Sequence, residues 1–190
     1  MTFTFTSNLQ EHQLLFQNIG TLEPKVNEAS ELIAKAFLSG NKLMLCGNGG
    51  SASDSQHIAA EMTGRFIKDR KPLPAIALTT DTSALTCIAN DYSFEDVFAR
   101  QIAALGRAGD VLIAISTSGN SGNVIKAMHV AKELGIKVIT LSGRDGGQMK
   151  ALADLSIIVP SQTTARIQEA HIFIGHVICG SVEIQLGLVD

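Results

Sequence analysis

The sequence predicts a single α/β domain in which a five-stranded parallel sheet is flanked by helices on both faces. Short apolar runs alternate with longer segments whose apolar residues recur every three or four positions, an order typical of parallel sheets. The 190 residues are enough for one sizeable core. The sequence contains no linker or low-complexity stretch that would divide the chain. We therefore expect one domain over residues 1–190, with a helical extension at 1–40 and an α/β core at 41–190.

The expected elements follow one another in a regular order along the chain. Two helices precede any strand, at 8–19 and 22–38, and Gly40 ends the second as the residue after its cap. The five strands are predicted at 42–46, 75–78, 110–115, 137–141 and 155–159. The later helices are predicted at 54–66, 81–91, 94–105, 124–134 and 164–186. The two N-terminal helices are an addition to the α/β core, so we expect them to cover a sheet face or form an oligomer interface.

Composition and charge exclude several classes of function. The net charge is −3 and the basic residues are scattered, so no electrostatic footprint for nucleic acid or an anionic membrane exists. No apolar run is long enough to span a bilayer, and the N-terminus lacks the pattern of a signal peptide. We expect a cytoplasmic protein. Cys46, Cys87 and Cys179 each lie in an apolar setting, which favours buried free thiols over a disulfide.

The most informative stretch is Asp110–Asn123, in which a buried strand runs through a hydroxyl-rich turn into a helix. Four hydroxyl residues fall within six positions there: Ser116, Thr117, Ser118 and Ser121. Free amides at a helix N-terminus and the positive end of its dipole suit an anion, above all a phosphate. Gly119 and Gly122 are expected to let the backbone approach it. The alternative is an ordinary capped turn, but a cap needs only one hydroxyl.

A second strand–loop–helix unit contains the Gly- and Ser-rich loop at 47–53. It matches neither a Walker phosphate loop nor a dinucleotide-binding fingerprint. Ligands of open parallel sheets bind outside the carboxyl ends of the strands, so this loop, the region 79–82 and the turn 116–121 should share one rim. Two such turns on one rim suit a phosphorylated, polyhydroxylated substrate.

Two helices carry titratable residues that could form a metal site. His57 and Glu61 are four residues apart and share a helix face, away from the face that Ile58, Met62 and Phe66 would bury. The C-terminal helix carries Gln168, Glu169, His171 and His176 within a largely apolar sequence. A carboxylate, a glutamine and two histidines are a possible zinc set, although glutamine is an unusual ligand. The alternatives are a surface hydrogen bond for the first pair and a core position for a histidine of the last helix.

Taken together, these motifs resemble the SIS (sugar isomerase) superfamily and, within it, the phosphoheptose isomerase family. The resemblance covers nearly the whole chain. It is carried by CGNGGSASDSQHIAAEMTGRF at 46–66, IANDYSFEDVF at 88–98, GDVLIAISTSGNSGNVIKA at 109–127, GRDGG at 143–147 and ARIQEAHIFIGH at 165–176. The STSGNS turn is specific only to the superfamily, whereas the combination of His57, Glu61, Gln168 and His176 is much more specific.

The resemblance implies a set of functional residues and an activity. Glu61 and His176 are implied as the catalytic acid/base pair, and zinc, one ion per subunit, as a cofactor held by His57, Glu61, Gln168 and His176. The implied substrate contacts are Asn48, Gly49, Gly50, Ser51, Asn90, Asp91, Ser116, Thr117, Ser118, Ser121 and Gln168. The implied reaction converts sedoheptulose 7-phosphate to D-glycero-D-manno-heptose 7-phosphate through an enediol. The product would supply the heptose of lipopolysaccharide, capsule or glycoprotein. The family also implies a homotetramer whose sites draw on more than one subunit.

Several alternatives stay open at this point. Because a carboxylate that ligates zinc is a poor base at the same moment, the metal could shift during turnover, occupy only the empty site, or leave one Glu61 oxygen free. A related SIS protein binds the bacterial replication initiator without catalysis, in a pattern that lacks the carboxylate present here as Glu61. A third interpretation is an isomerase of another sugar phosphate, such as a hexosamine or a pentose.

Overall fold

The structure, a computed structural model that describes residues 3–189, contains the predicted five-stranded parallel sheet, in the order β2-β1-β3-β4-β5. The strands are β1 (Leu43–Gly47), β2 (Ala75–Ala77), β3 (Val111–Ser116), β4 (Lys137–Gly143) and β5 (Leu155–Val159). The helices are α1 (Phe5–Asn18), α2 (Glu23–Leu38), α3 (Gly50–Thr63), α4 (Thr82–Asp91), α5 (Ala99–Leu105), α6 (Gly122–Glu133), α7 (Met149–Leu152) and α8 (Thr164–Gln185). Short 3-10 turns occupy Ile19–Leu22 and Phe94–Asp96. The predicted fold class is confirmed.

Most boundaries shift by one to three residues, and the larger differences from the sequence prediction concern the start of α3, the segment 94–105 and α7. Helix α3 begins at Gly50 rather than at Asp54, because Gly49 turns the chain sharply with a φ of 56°. The predicted helix over 94–105 is interrupted, because its start is a 3-10 turn. Two contacts of Asp96 stabilise this turn: Ser93 Oγ donates to Asp96 Oδ2 (2.6 Å), and Lys126 Nζ pairs with Asp96 Oδ1 (2.7 Å). The short helix α7 was not predicted.

The sheet is covered on both faces, which explains why its strands are almost continuously apolar. One face, represented by Leu45 and Ile113, packs against helices α1, α2, α3 and α8. The opposite face, represented by Met44 and Leu112, packs against α5, α6 and α7. Because side chains alternate between the two faces along each strand, each strand contributes residues to two separate hydrophobic cores.

The strand order places a topological switch between β1 and β3. These strands are direct neighbours, with Gly47 opposite Ile115, but their crossovers leave toward opposite sides of the sheet. Ligands of this type of sheet bind at such a switch point, outside the carboxyl ends of the strands. The loops that follow β1 and β3 flank this point, and β4 continues the rim with Ser142 opposite Ser116.

The cysteines only partly match the prediction. Cys46 and Cys179 are buried free thiols, and burial raises the pKa of each to about 12. Cys87 is exposed, contrary to the prediction, and the helix that carries it, α4, has no fully buried residue. None of the helices within residues 3–189 has the length and apolarity needed to cross a membrane.

Candidate active site

The hydroxyl-rich turn after β3 forms a cluster of oxygen atoms at the start of α6. Ser116 Oγ lies 2.8 Å from Ser121 Oγ and 3.4 Å from Ser118 Oγ. Ser121 is the N-cap residue of α6, yet its hydroxyl faces Ser116 rather than the amides of the first helical turn. The Ser121 side chain therefore does not cap the amides of that turn, and the helix dipole favours an anion there. This arrangement fits the predicted phosphate site better than the alternative of a capped turn.

The glycine-rich loop at 143–147 packs against this turn. Gly119 has a φ of 67°, and a side chain there would collide with the backbone oxygen of Gly146. Gly147, with a φ of 54°, would in turn collide with Gly119 O. Met149 N donates to Gly119 O at 3.0 Å and closes the contact. Gly119 is therefore required for packing between the two loops, which differs from its expected role of approaching the ligand.

The loop after β1 is joined to the hydroxyl-rich turn by a pair of amide side chains. Asn48 Nδ2 donates to Asn123 Oδ1 and Asn123 Nδ2 donates to Asn48 Oδ1, both at 2.8 Å. Asn123 is only 3% exposed, in the first turn of α6. Sequence reasoning missed Asn123, although a polar amide facing the core side of an amphipathic helix is a signal that could have revealed it.

Gln168 reaches this same loop from the first turns of α8. Its amide lies over Gly50, where a Cβ would come within 3.1 Å of Gln168 Cδ and closer still to Nε2. Ser51, in the first turn of α3, is buried and donates its amide to Asn48 O (3.0 Å). The predicted substrate contacts Asn48, Gly49, Gly50, Ser51 and Gln168 are therefore neighbours around one loop.

Asn90 and Asp91 lie at the end of α4. Asn90 Nδ2 donates to Asp91 Oδ1 (2.8 Å) and Cys87 Sγ to Asp91 Oδ2 (3.4 Å). The hydrogen bonds from Asn90 and then Cys87 lower the pKa of the Asp91 carboxyl. Both residues are exposed, and the 3-10 turn that follows them packs against α6, on the phosphate side of the rim.

The histidine and glutamate side chains predicted to bind metal converge between α3 and α8. His57 Nε2 lies 3.1 Å from Glu61 Oε1 and 3.3 Å from His176 Nε2. One ligand atom from each of these three residues lies within 4.8 Å of the other two. The side chain of His57 is 49% exposed and that of Glu61 24%, so the group is open to solvent. The Phe66 ring stacks on His176 with centroids 5.5 Å apart.

This convergence suits a shared proton or a cation. Three basic atoms whose lone pairs face one another would repel each other if nothing positive lay between them. Two imidazoles and one carboxylate are also the donor set of many zinc sites that keep a coordination position open. The residues present therefore fit a divalent metal. Gln168, the fourth predicted ligand, contacts the start of α3 instead, and its part in metal binding stays a prediction.

Two further polar residues of α8 have structural contacts of their own. His171 is fully buried, and its Nε2 donates to Ser142 O at 3.1 Å, so it is a core residue. Burial lowers the pKa of His171 to about 4. Glu169 pairs with His12 of α1 (2.8 Å) and with Arg166 (2.5 Å). The structure brings neither residue into the trio of His57, Glu61 and His176.

Comparison with known proteins places the chain among sugar phosphate isomerases. The SIS domain family matches residues 9–143. The phosphoheptose isomerase of a Nitratiruptor species is 56% identical, over 92% of this chain and 94% of that one. The phosphoheptose isomerase of a Helicobacter pylori strain is 53% identical, over 92% of this chain and 91% of its own length.

The chain belongs to the phosphoheptose isomerase family. A solved structure supports the assignment: the phosphoheptose isomerase of Neisseria gonorrhoeae superposes with a TM-score of 0.90 at 48% identity, covering 94% of this chain and 96% of that one. Membership in this family gives the two halves of the site a common context, since a sugar phosphate presents both a phosphate and a reactive carbonyl carbon.

Proposed function

We propose that this chain isomerises D-sedoheptulose 7-phosphate to D-glycero-D-manno-heptose 7-phosphate through an enediol, the first step in the synthesis of nucleotide-activated heptoses. The observation that carries the proposal is the convergence of His57, Glu61 and His176 in a chain about half identical to phosphoheptose isomerases over most of its length. The reaction moves one proton between C1 and C2 and needs no redox partner. It requires a base at carbon and an acid near the adjacent oxygen.

Glu61 is the proposed base and His176 the proposed acid. Glu61 Oε1 and the His176 ring both lie against His57 Nε2, so the two groups are held in one cluster, open to solvent from one side. Glu61 takes the proton from C1 of the ketose and returns it to C2. His176 donates a proton to O2 as the enediol forms and takes the O1 hydroxyl proton as the aldehyde forms, which returns it to its starting state. It is also placed to assist opening of the sugar ring.

The proposed metal is zinc, held by His57, Glu61 and His176. Gln168 is proposed as a fourth ligand, which requires its amide to move away from Gly50 toward His57. The facing nitrogen and oxygen atoms of the first three residues support this choice, and the donor set suits zinc better than the oxygen-preferring magnesium or calcium. When bound, such an ion supplies a Lewis acid beside the substrate oxygens. Glu61 then serves both as ligand and base only if one of its two oxygens stays free for the proton.

The proposed phosphate site is the turn formed by Ser116, Thr117, Ser118 and Ser121 at the N-terminus of α6. Binding energy gained at this remote group positions the reacting carbons, which raises the rate without touching them. The Asn48–Asn123 amide pair ties this turn to the loop after β1, where Gly49, Gly50, Ser51 and Gln168 are proposed to contact the sugar hydroxyls. Asn90 and Asp91 are proposed to contact them from the end of α4.

We also propose a homotetramer with shared sites, in which each chain of 190 residues is one domain. Glu61 lies eleven residues beyond Gly50 on α3, which is about 16 Å along the helix axis. The two halves of the site are therefore well separated within one chain, which supports completion by a neighbouring copy. Helix α8 also exposes Phe173, Val177 and Ile184, apolar surface that an interface would cover.

The alternative of a non-catalytic SIS protein predicts no turnover and a pocket without a function. The presence of Glu61 beside His57 and His176 favours catalysis. The alternative of another sugar phosphate concerns only the substrate, because the acid/base pair would be the same. The pathway role and a location in the cytoplasm, where the phosphorylated substrates of nucleotide-sugar synthesis are made, belong to the same proposal.

The test is turnover of a panel of ketose phosphates by purified protein in D₂O, followed by NMR. We expect sedoheptulose 7-phosphate to be converted, with deuterium at C2 of the aldose wherever the base exchanges its proton before returning it. Ribulose 5-phosphate and fructose 6-phosphate should react far more slowly. If only a pentose or hexose phosphate were converted, that sugar would replace sedoheptulose 7-phosphate as the proposed substrate. Absence of any turnover would favour the non-catalytic alternative.

A further inference from the structure

The end of α3 is fastened to α8 by a buried ion pair that lies outside the site described above. Arg70 Nε donates to Glu183 Oε1 at 2.8 Å, and the two side chains are 2% and 0% exposed. The Glu183 carboxylate also accepts the backbone amides of Phe66 (3.0 Å) and Ile67 (3.1 Å). Burial alone would raise the pKa of Glu183, but the Ile67 and Phe66 amides and Arg70 outweigh it and hold that pKa below its usual value.

The remaining donors of Arg70 close the last turn of α3. Its Nη2 donates to Glu61 O (2.7 Å), and its Nη1 donates to Met62 O (2.7 Å) and Gly64 O (2.8 Å). The last carbonyls of a helix have no partner within the helix, and a cation favours the negative end of the dipole. Arg70 therefore fixes the backbone of the turn that carries Glu61.

The same pair is linked to His176 by two routes. Glu183 lies seven residues after His176 on α8, which puts both on the same side of the helix, two turns apart. Phe66, whose amide is held by Glu183, stacks its ring on the His176 imidazole, with centroids 5.5 Å and planes 22° apart. Both members of the proposed acid/base pair thus depend on the position of one ion pair.

Stability alone gives a weak reason for such an arrangement. A fully buried ion pair loses so much hydration that well-packed apolar residues often replace it without loss of stability. The guanidinium fork does what an apolar side chain cannot, because it reaches four carbonyls, the fourth being Lys71 O (3.1 Å), and a carboxylate at once. We propose that Arg70 and Glu183 are positioning residues for the isomerisation, setting the Glu61 carboxylate against the His176 imidazole.

This proposal rests on the proposed roles of Glu61 and His176, so the test combines catalysis with a measurement that does not need it. The variants are Glu183→Gln and Arg70→Lys, each shown to be native by thermal unfolding. For each, kcat and KM are measured separately, and the affinity for Zn²⁺ is measured by chelator competition on the full-length protein. Lysine keeps the charge but cannot span all five acceptors, so Arg70→Lys is expected to fail as a conservative replacement.

The matched control is a second ion pair, at the amino ends of β1 and β3, whose carboxylate is buried and whose lysine is partly exposed. Asp110, whose side chain is 2% exposed, accepts from Lys42 Nζ (2.6 Å) and from the amides of Lys42 and Arg107. Asp110→Asn therefore breaks a comparable pair whose hydrogen bonds do not involve α3 or α8. It is expected to lower the unfolding temperature while leaving kcat and Zn²⁺ affinity unchanged.

For the two test variants we expect kcat to fall by roughly 10- to 100-fold, since a displacement of about 1 Å can cost that much, with KM within about twofold. Zn²⁺ affinity should fall by about tenfold or more, as it does when groups supporting metal ligands are removed. Unchanged kcat and unchanged Zn²⁺ affinity in both native variants would overturn the proposal. Weaker Zn²⁺ binding, together with an active Glu61→Gln enzyme, would support the positioning role and overturn instead the catalytic role of Glu61.

Discussion

Replacement of Gly50 by alanine should lower activity without lowering stability. Gly50 is the first residue of α3 and has an ordinary helical φ, so alanine is compatible with the backbone. Alanine in place of glycine at such a position stabilises a protein by about 0.4–1 kcal/mol, because the unfolded chain loses freedom. The new methyl group, however, enters the space now occupied by the Gln168 amide.

The size of the effect follows from that overlap. The added Cβ would lie 3.1 Å from Gln168 Cδ and closer to Nε2, whereas apolar contacts are comfortable at about 3.5–4.0 Å. The flexible amide can swing away, so folding is spared, but it must move by roughly 1 Å. A misplacement of that order can cost about 10²-fold in rate. We therefore expect kcat/KM to fall by roughly 10- to 100-fold at unchanged or slightly raised stability.

The assay is steady-state kinetics with sedoheptulose 7-phosphate, beside chemical denaturation. Gly20→Ala is the matched control, since its Cβ would meet nothing within 4 Å and its φ is also ordinary. The double variant Gly50→Ala/Gln168→Ala separates the two roles proposed at this loop: it should be no slower than Gln168→Ala alone if the methyl group acts through the amide, and slower if Gly50 itself contacts the sugar. Full activity of Gly50→Ala would refute a role for Gln168. A marked loss in the free energy of unfolding would show that the backbone moves to make room for the methyl group, rather than the Gln168 amide.

Three further outcomes are expected. Ser118→Ala should raise KM for the sugar phosphate more than it lowers kcat, which steady-state kinetics would show; an unchanged KM would remove the phosphate from this turn. Asn123→Ala should cost about 1–3 kcal/mol in denaturant unfolding, because it leaves a partly buried Asn48 amide unpaired, and a neutral result would contradict the amide pair. The pKa of His171 is about 4 in the folded protein and near 6.5 in the unfolded chain, so between these pH values the unfolded chain binds a proton that the folded protein does not. The free energy of unfolding of the wild type should therefore fall by about 3 kcal/mol from pH 6.5 to pH 4, relative to that of His171→Gln. Equal pH profiles for the two proteins would contradict the burial of a neutral His171.

The strands and the phosphate turn could be predicted because their signals are local. A strand buried on both faces is a run of apolar residues, and the run of hydroxyls after β3 has few structural uses besides anion binding. His57 and Glu61 could be paired because four residues on a helix bring them to one face. Sequence therefore predicted the candidate site wherever its residues were close along the chain or were matched to a known family.

The rest depends on contacts between distant segments, which periodicity does not report. The requirement for Gly119 comes from the loop at 143–147, and the Asn48–Asn123 pair joins residues 75 positions apart. The ion pair of Arg70 and Glu183 spans 113 positions. Cys87 was predicted to be buried because its helix carries apolar residues, but every residue of that helix stays at least partly exposed.

The central claim is that Glu61 and His176 move the proton, and kcat of folded Glu61→Gln tests it most directly. Glutamine keeps the shape of the side chain but removes its basic oxygen, and loss of a general base costs on the order of 10²- to 10⁴-fold. We expect that loss with native thermal unfolding, and a Glu61→Gln/His176→Ala double variant little slower than the slower single one, since both act on one step. Near wild-type turnover by the folded Glu61→Gln protein would contradict the enediol account.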